Sequence, residues 1–180
     1  IADRSFFRNE ALNTIMTKVR ERESTLHLMG LVSDGGVHSQ LTHLFALLEM
    51  AKSSGIRKTC VHVILDGRDT SPTGGVDYVA RLNEQMGKLD YGTIASICGR
   101  YYAMDRDKRW ERVKLAYDAL VKGIGEHSKN LLKEIEKSYD DDITDEFIKP
   151  IVMVDKENNP VTTIKDGDVG IFFNFSTDMG

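Results

Sequence analysis

Apolar positions at Phe6, Ala11, Leu12, Ile15 and Val19 recur at helical spacing, which predicts a helix from Ser5 to about Arg22 with Asn9 and Glu10 suited to its first turns. Thr25 to Val32 is different. It is apolar throughout, with no polar alternation beyond His27, as in a strand buried on both faces. Ser33-Asp-Gly-Gly36 breaks the run, and a helical period resumes from His38 to about Ser53 through Leu41, Leu44, Phe45, Leu48 and Ala51. Gly55 stands where a left-handed cap ends such a helix. The cycle then repeats: a strand at Thr59–Leu65, a polar loop at Asp66–Gly75, a helix from Val76 to about Leu89, a strand at Thr93–Cys98, a loop at Gly99–Asp105, and an amphipathic helix from Arg106 to Lys122.

The last third is less regular. It predicts a short charged helix from Ser128 to Tyr139, strands at Phe147–Val154 and Val169–Phe175, and a Glu-Asn-Asn-Pro turn at 157–160 that suggests a hairpin between them. Strands alternating with helices of these lengths imply βαβ units. The expected fold is α/β, a mainly parallel mixed sheet of about five strands flanked by helices. There is no internal repeat, low-complexity tract or linker, so residues 1–180 read as a single domain.

Composition narrows the function classes. With 41% hydrophobic residues the chain can bury a core, and a net charge of −4 gives no global support for binding nucleic acid. A local arginine cluster remains able to hold a small anion. Cys60 and Cys98 lie in apolar runs without CxxC spacing, so they read as buried free thiols, and no metal site is indicated. No apolar stretch approaches the roughly 20 residues of a membrane span and no signal peptide opens the chain, so it reads as cytoplasmic, with no membrane partner. It opens on Ile1 rather than methionine, which favours a segment excised from a longer protein.

Polar residues concentrate in the loops after the first three strands: Asp34-Gly-Gly-Val-His38, Asp66-Gly-Arg68-Asp69-Thr70 and Gly99-Arg100-Tyr-Tyr-Ala-Met-Asp-Arg106. In an open parallel sheet these loops converge at the strands' carboxyl ends, where ligands bind. Gly35-Gly36 reads as a tight turn or as a place where the backbone approaches a ligand at a helix start. His38, opening that helix, reads as a cap or a ligand contact. Arg68 and Asp69 form either a loop ion pair or a working pair, the guanidinium gripping a carboxylate or phosphate and the carboxylate taking a hydroxyl proton. The apolar flanks of Arg100 and Arg106 imply a packed loop that holds both in place. Arg109 and Arg112 read as solvated helix face.

Three segments carry a resemblance: Leu-Val-Ser-Asp-Gly-Gly-Val-His-Ser (31–39), Leu-Asp-Gly-Arg-Asp-Thr (65–70) and Gly-Arg-Tyr-Tyr-Ala-Met-Asp-Arg-Asp-Lys-Arg-Trp (99–110). Together with Ser-Phe-Phe-Arg-Asn-Glu-Ala-Leu (5–12), they are similar in order and spacing to cofactor-independent phosphoglycerate mutases across nearly the whole chain. The resemblance implies the phosphotransferase, or substrate-binding, domain of an enzyme that interconverts 2-phosphoglycerate and 3-phosphoglycerate. In that family a serine and two manganese ions in a separate phosphatase domain handle the phosphoryl group, so this chain carries no cofactor of its own and that domain is its expected partner. It further implies that Arg68, Arg100 and Arg106 bind substrate carboxylate and phosphate, that His38 contacts the ligand, and that Asp69 is the general acid/base. The chain departs from the family pattern near its end, where Ser176 and Met179 stand in place of two arginines, and neither is counted in the site. A stand-alone module that binds a phosphorylated carboxylic acid without catalysis is the alternative reading.

Overall fold

The computed structural model describes Ile1 and residues 4–176. After a single helical turn at Phe6–Arg8, helix α1 spans Glu10–Arg22, with the Asn9 side chain accepting the Leu12 N–H as N-cap. Then come β1 (Leu26–Leu31), α2 (Leu41–Ser53), β2 (Thr59–Leu65), α3 (Gly75–Leu89) and β3 (Thr93–Gly99). A four-residue helix α4 (Arg100–Ala103) precedes α5 (Trp110–Lys122), β4 (Glu126–Ser128) and α6 (Leu131–Asp140). A turn at Asp145–Phe147 leads to β5 (Ile151–Met153) and finally β6 (Val169–Phe172).

The six strands form one sheet in the order β4-β5-β3-β2-β1-β6. The block β3-β2-β1-β6 is parallel, β5 runs antiparallel to β3, and β4 runs parallel to β5. The α/β class and the mixed, mainly parallel sheet are as expected, with one strand more than the pattern shows. That strand, β4, is three residues of Glu-His-Ser with no apolar alternation, so only its pairing with β5 reveals it.

The hairpin expectation is overturned. The turn exists, closed by the Val154–Pro160 bridge and the Asp155–Asn159 backbone bond, but β5 and β6 are separated by three intervening strands. Turn chemistry dictates where the chain reverses and not which strand it joins. β6 is recruited beside β1 because Asp168 accepts the Thr25 N–H at 3.0 Å and pairs with His27. Several boundaries also move: α1 begins at Glu10 rather than Ser5, α2 at Leu41 rather than His38, Arg100–Ala103 is helical rather than loop, the following helix begins at Trp110 rather than Arg106, and β5 covers only Ile151–Met153 of the expected 147–154.

Strand alternation assigns the two sheet faces. Leu26 and Leu28, Val61, Val63 and Leu65, and Ile94 and Ile97 join Met16, Leu44, Val79, Leu82 and Ile135 of the helices in one continuous core. The other face presents Met29, His62, Ile64, Ser96 and Cys98 toward α5. Both cysteines are free and buried, and burial pushes their thiols up, Cys98 strongly so. No helix among the described residues is long and apolar enough to cross a membrane.

A candidate anion cleft at the carboxyl ends of the strands

Because β1, β2 and β3 are parallel, their following loops share one end of the sheet. There a cleft of about 530 Å³ is lined by Arg68, Arg100, Arg106 and Arg112, with Asp105, Asp107 and Glu146 among its other walls. The guanidinium groups expected from two separate loops therefore border a single space.

Arg100 is the anchor. Its side chain is buried, and its Nη1 donates to Asp66 Oδ1 and to Asp69 Oδ2, both at 2.7 Å. Burial alone would raise the Asp66 pKa; the Asp69 N–H, the Arg100 guanidinium and the Arg68 N–H together outweigh it and hold this carboxyl below the usual range. The Arg68 and Asp69 N–H groups fold back onto Asp66 Oδ1 at 3.2 and 3.1 Å, so the 66–69 loop is wound around one carboxylate. Asp69 Oδ2 also lies 3.5 Å from His38 Nε2, while His38 Nδ1 has no hydrogen-bond partner among the described residues. His38 and Asp69 do not line the cleft: Asp69 stands behind Arg100, which borders it, and His38 stands behind Asp69.

The other arginines differ in commitment. Arg68 is half exposed and its nearest carboxylate, Glu146 Oε1, is 3.7 Å away, beyond a direct hydrogen bond. Arg106 is exposed and makes no ion pair among the described residues. Arg112, expected on a solvated face, instead borders the cleft: it pairs with Asp105 at 3.2 Å and lies 3.8 Å above the Tyr101 ring, which accounts for its partial burial. Helix α5 starts later than the periodicity implies, and the Asp105 carboxylate, which accepts the Arg109 N–H at 2.8 Å, ties Arg112 back to the loop. Arg109 is exposed as expected.

The segment 145–147 was invisible as a site element, since Asp-Glu-Phe in a polar stretch carries no motif. It packs onto the same loops. Gly67, at φ 68°, has the Glu146 nitrogen 2.8 Å from where a Cβ would stand, and a Cβ on Gly99 would collide with the Glu146 backbone oxygen. Asp145 is buried, accepts the Gly75 N–H at 2.7 Å and the Tyr139 hydroxyl, and donates its own N–H to Pro72. Burial pushes its carboxyl up to about 6. The Gly35 turn packs against Thr70 and the Asp69 carbonyl, so the close approach that glycine permits there is to the neighbouring loop.

Ser176 lies at the end of the described chain, and Met179 lies outside the described residues. Among the described residues no group of three or more His, Cys, Asp or Glu side chains is placed to hold a metal ion.

Fold and site together define an α/β domain whose parallel strands deliver an arginine-rich cleft at their carboxyl ends. The chain matches the family model described as BPG-independent PGAM N-terminus (iPGM_N) over residues 1–179. It is 54% identical over 178 residues to the 2,3-bisphosphoglycerate-independent phosphoglycerate mutase of Thermomicrobium roseum, covering 99% of this chain and 34% of that protein. The Clostridium acetobutylicum enzyme of the same description is 51% identical, again over 99% of this chain and 35% of its own length. A solved phosphoglycerate mutase from Leishmania mexicana, determined at low cobalt concentration, superposes with a TM-score of 0.90 at 31% identity, covering 97% of this chain and 33% of that one. The chain belongs to the BPG-independent phosphoglycerate mutase N-terminus family, and it spans about a third of the length of the curated relatives it matches.

Proposed function

We propose that this chain is the substrate-holding domain of a phosphoglycerate mutase interconverting 2-phosphoglycerate and 3-phosphoglycerate. The observation that carries the reading is the shared cleft: Arg68, Arg100 and Arg106 border one space large enough for a three-carbon acid. The reaction requires the glycerate to stay bound while its phosphoryl group is away, or the enzyme would release it and act as a phosphatase. A guanidinium grips a carboxylate or phosphate through paired hydrogen bonds, which fixes the orientation of the bound group.

In this reading Arg68 and Arg106, both exposed, take the carboxylate and the phosphate. Arg100 keeps Nη1 on its two aspartates and offers its remaining donors to the ligand. Asp69, fixed by Arg100 and beside His38, moves the hydroxyl proton, and His38 contacts the ligand. The serine and the metal chemistry lie in a separate phosphatase domain of a longer polypeptide, from which residues 1–180 are one excised domain acting in the cytoplasm.

Calorimetry tests the cleft. 3-Phosphoglycerate is expected to bind the wild-type chain and to bind Arg68→Ala at least tenfold more weakly, by about the 1.5–3 kcal/mol of a charged hydrogen bond; identical heats would remove the assignment. Pure chain treated with manganese is expected to show no mutase turnover, and robust turnover would refute the division of labour.

A further inference from the structure

We propose that Glu146 is the specificity-determining residue of this cleft: it admits an acid carrying one phosphate and rejects one carrying two. The inference rests on the reading of the cleft as a phosphoglycerate site.

The charges bordering the cleft are unequally committed. Arg100 is balanced by Asp66 and Asp69, both at 2.7 Å. Arg112 is balanced by Asp105 at 3.2 Å, with Asp107 at 3.9 Å. Arg100 can still lend N–H donors, but Arg68 and Arg106 are the two guanidinium groups whose charge is not already answered at close range, which matches one carboxylate and one phosphate. Two cleft carboxylates are only loosely paired, Asp107 and Glu146; Asp107 is 73% exposed and screened by solvent, which leaves Glu146 as the one whose charge is felt inside the cleft. Its ion-pair partner among the described residues is Arg68, at 3.7 Å and without a direct hydrogen bond. A ligand anion that takes Arg68 therefore leaves Glu146 uncompensated on the cleft wall, with its side chain only 18% exposed and weakly screened. A second phosphate would face that charge with no free guanidinium to answer it.

Glu146 is not free to swing away with a mobile loop. Asp145 locks the preceding residue through Gly75, Tyr139 and Pro72, and the Gly99 N–H donates to the Ile148 carbonyl at 2.8 Å on the other side. Gly67 and Gly99 are the positions that let this segment lie directly on the strand-end loops. A negative charge is thus built rigidly into a cleft otherwise suited to anions, which has no role in simple anion capture and a direct one in counting ligand charges.

Glu146→Gln keeps the size and removes the charge. Titrations of the chain with 3-phosphoglycerate and with 2,3-bisphosphoglycerate, followed by NMR so that millimolar affinities are read, compare wild type, Glu146→Gln and Arg68→Ala. Removing the charge is expected to tighten the bisphosphate roughly tenfold and the monophosphate two- to threefold, since repulsion scales with ligand charge. The preference for the monophosphate should therefore shrink. An unchanged preference, or weaker binding of both ligands by Glu146→Gln, overturns the proposal. If Arg68→Ala weakens 3-phosphoglycerate while Glu146→Gln leaves the preference intact, only the selectivity assignment falls. If Arg68→Ala binds as wild type does, or no sample binds, the cleft reading falls with it.

Discussion

At the scale of single residues, the arginines of this cleft look alike in sequence and differ in physical role. Arg100 is buried against two carboxylates, whereas Arg68 is half exposed beside one carboxylate at 3.7 Å. Removing one partner of a buried charge pair leaves the other uncompensated, while an exposed loose pair contributes little. Arg100→Ala is therefore expected to destabilise the chain by about 3 kcal/mol in urea unfolding, and Arg68→Ala by less than about 0.5 kcal/mol. Similar losses for both variants would contradict the division between a positioning arginine and a ligand-facing one. The types Arg68, Asp69, Arg100 and Arg106 stand out in the sequence because they sit in glycine-marked loops after apolar strands. Glu146 does not, because what places it in the cleft is the fit of its backbone against Gly67 and Gly99, a contact between segments far apart along the chain.

At the scale of elements, the sheet carries a line of buried polar groups with no counterpart in its apolar pattern. Asp168, just before β6, accepts from His27 Nε2 of β1 (3.1 Å); His27 Nδ1 meets His62 Nε2 of β2 (2.9 Å); and His62 Nδ1 meets Ser96 Oγ of β3 (2.8 Å). The bulge between Val61 and His62 sets Ser96 opposite His62. With Asp168 ionised, this pattern holds both imidazoles neutral and each ring nitrogen satisfied. Burial, reinforced by His27, lowers His62 to about 3, and burial likewise lowers His27 despite Asp168. A histidine with a depressed folded pKa contributes stability that is present above its unfolded pKa and lost as pH falls toward the folded one. For His62 that window runs from 6.5 down to about 3, at about 1.4 kcal/mol per pH unit. Asp145, raised to about 6, works in the opposite sense, losing stability as pH rises from 3.8 to about 6, so the total slope mixes both groups. The comparison with His62→Gln isolates the histidine: its destabilisation relative to wild type should shrink steadily between pH 7 and pH 4. A penalty constant across that range would show that the neutral histidine is not what the fold selects.

At the scale of the whole molecule, one core runs beneath the sheet from Met16 near the start to Ile135 of α6. A core that is continuous should fail as a unit. Ile135, fully buried, lies on the apolar face of a helix whose other face is charged, so its truncation tests whether that helix belongs to the same body. Ile135→Ala is expected to cost about 2–5 kcal/mol and to leave a single unfolding transition by circular dichroism. A separate, earlier transition for the last third of the chain would mean that α6 and its strands are an independent layer.

The alternation of apolar strands with helical periods is a local property, and it was enough to determine the α/β class, the succession of the first three βα units and the loops in which the arginines stand. Those features depend on which side of a strand or helix each residue faces, which is written residue by residue. The partner of β6, the existence of β4, the burial of Arg112 and the arrival of Glu146 in the cleft depend on contacts between segments that no local period links. Only the assembled sheet decided them, because a hydrogen bond such as that from the Thr25 N–H to Asp168, or the fit of a backbone against Gly99, acts only once distant parts of the chain have been brought together.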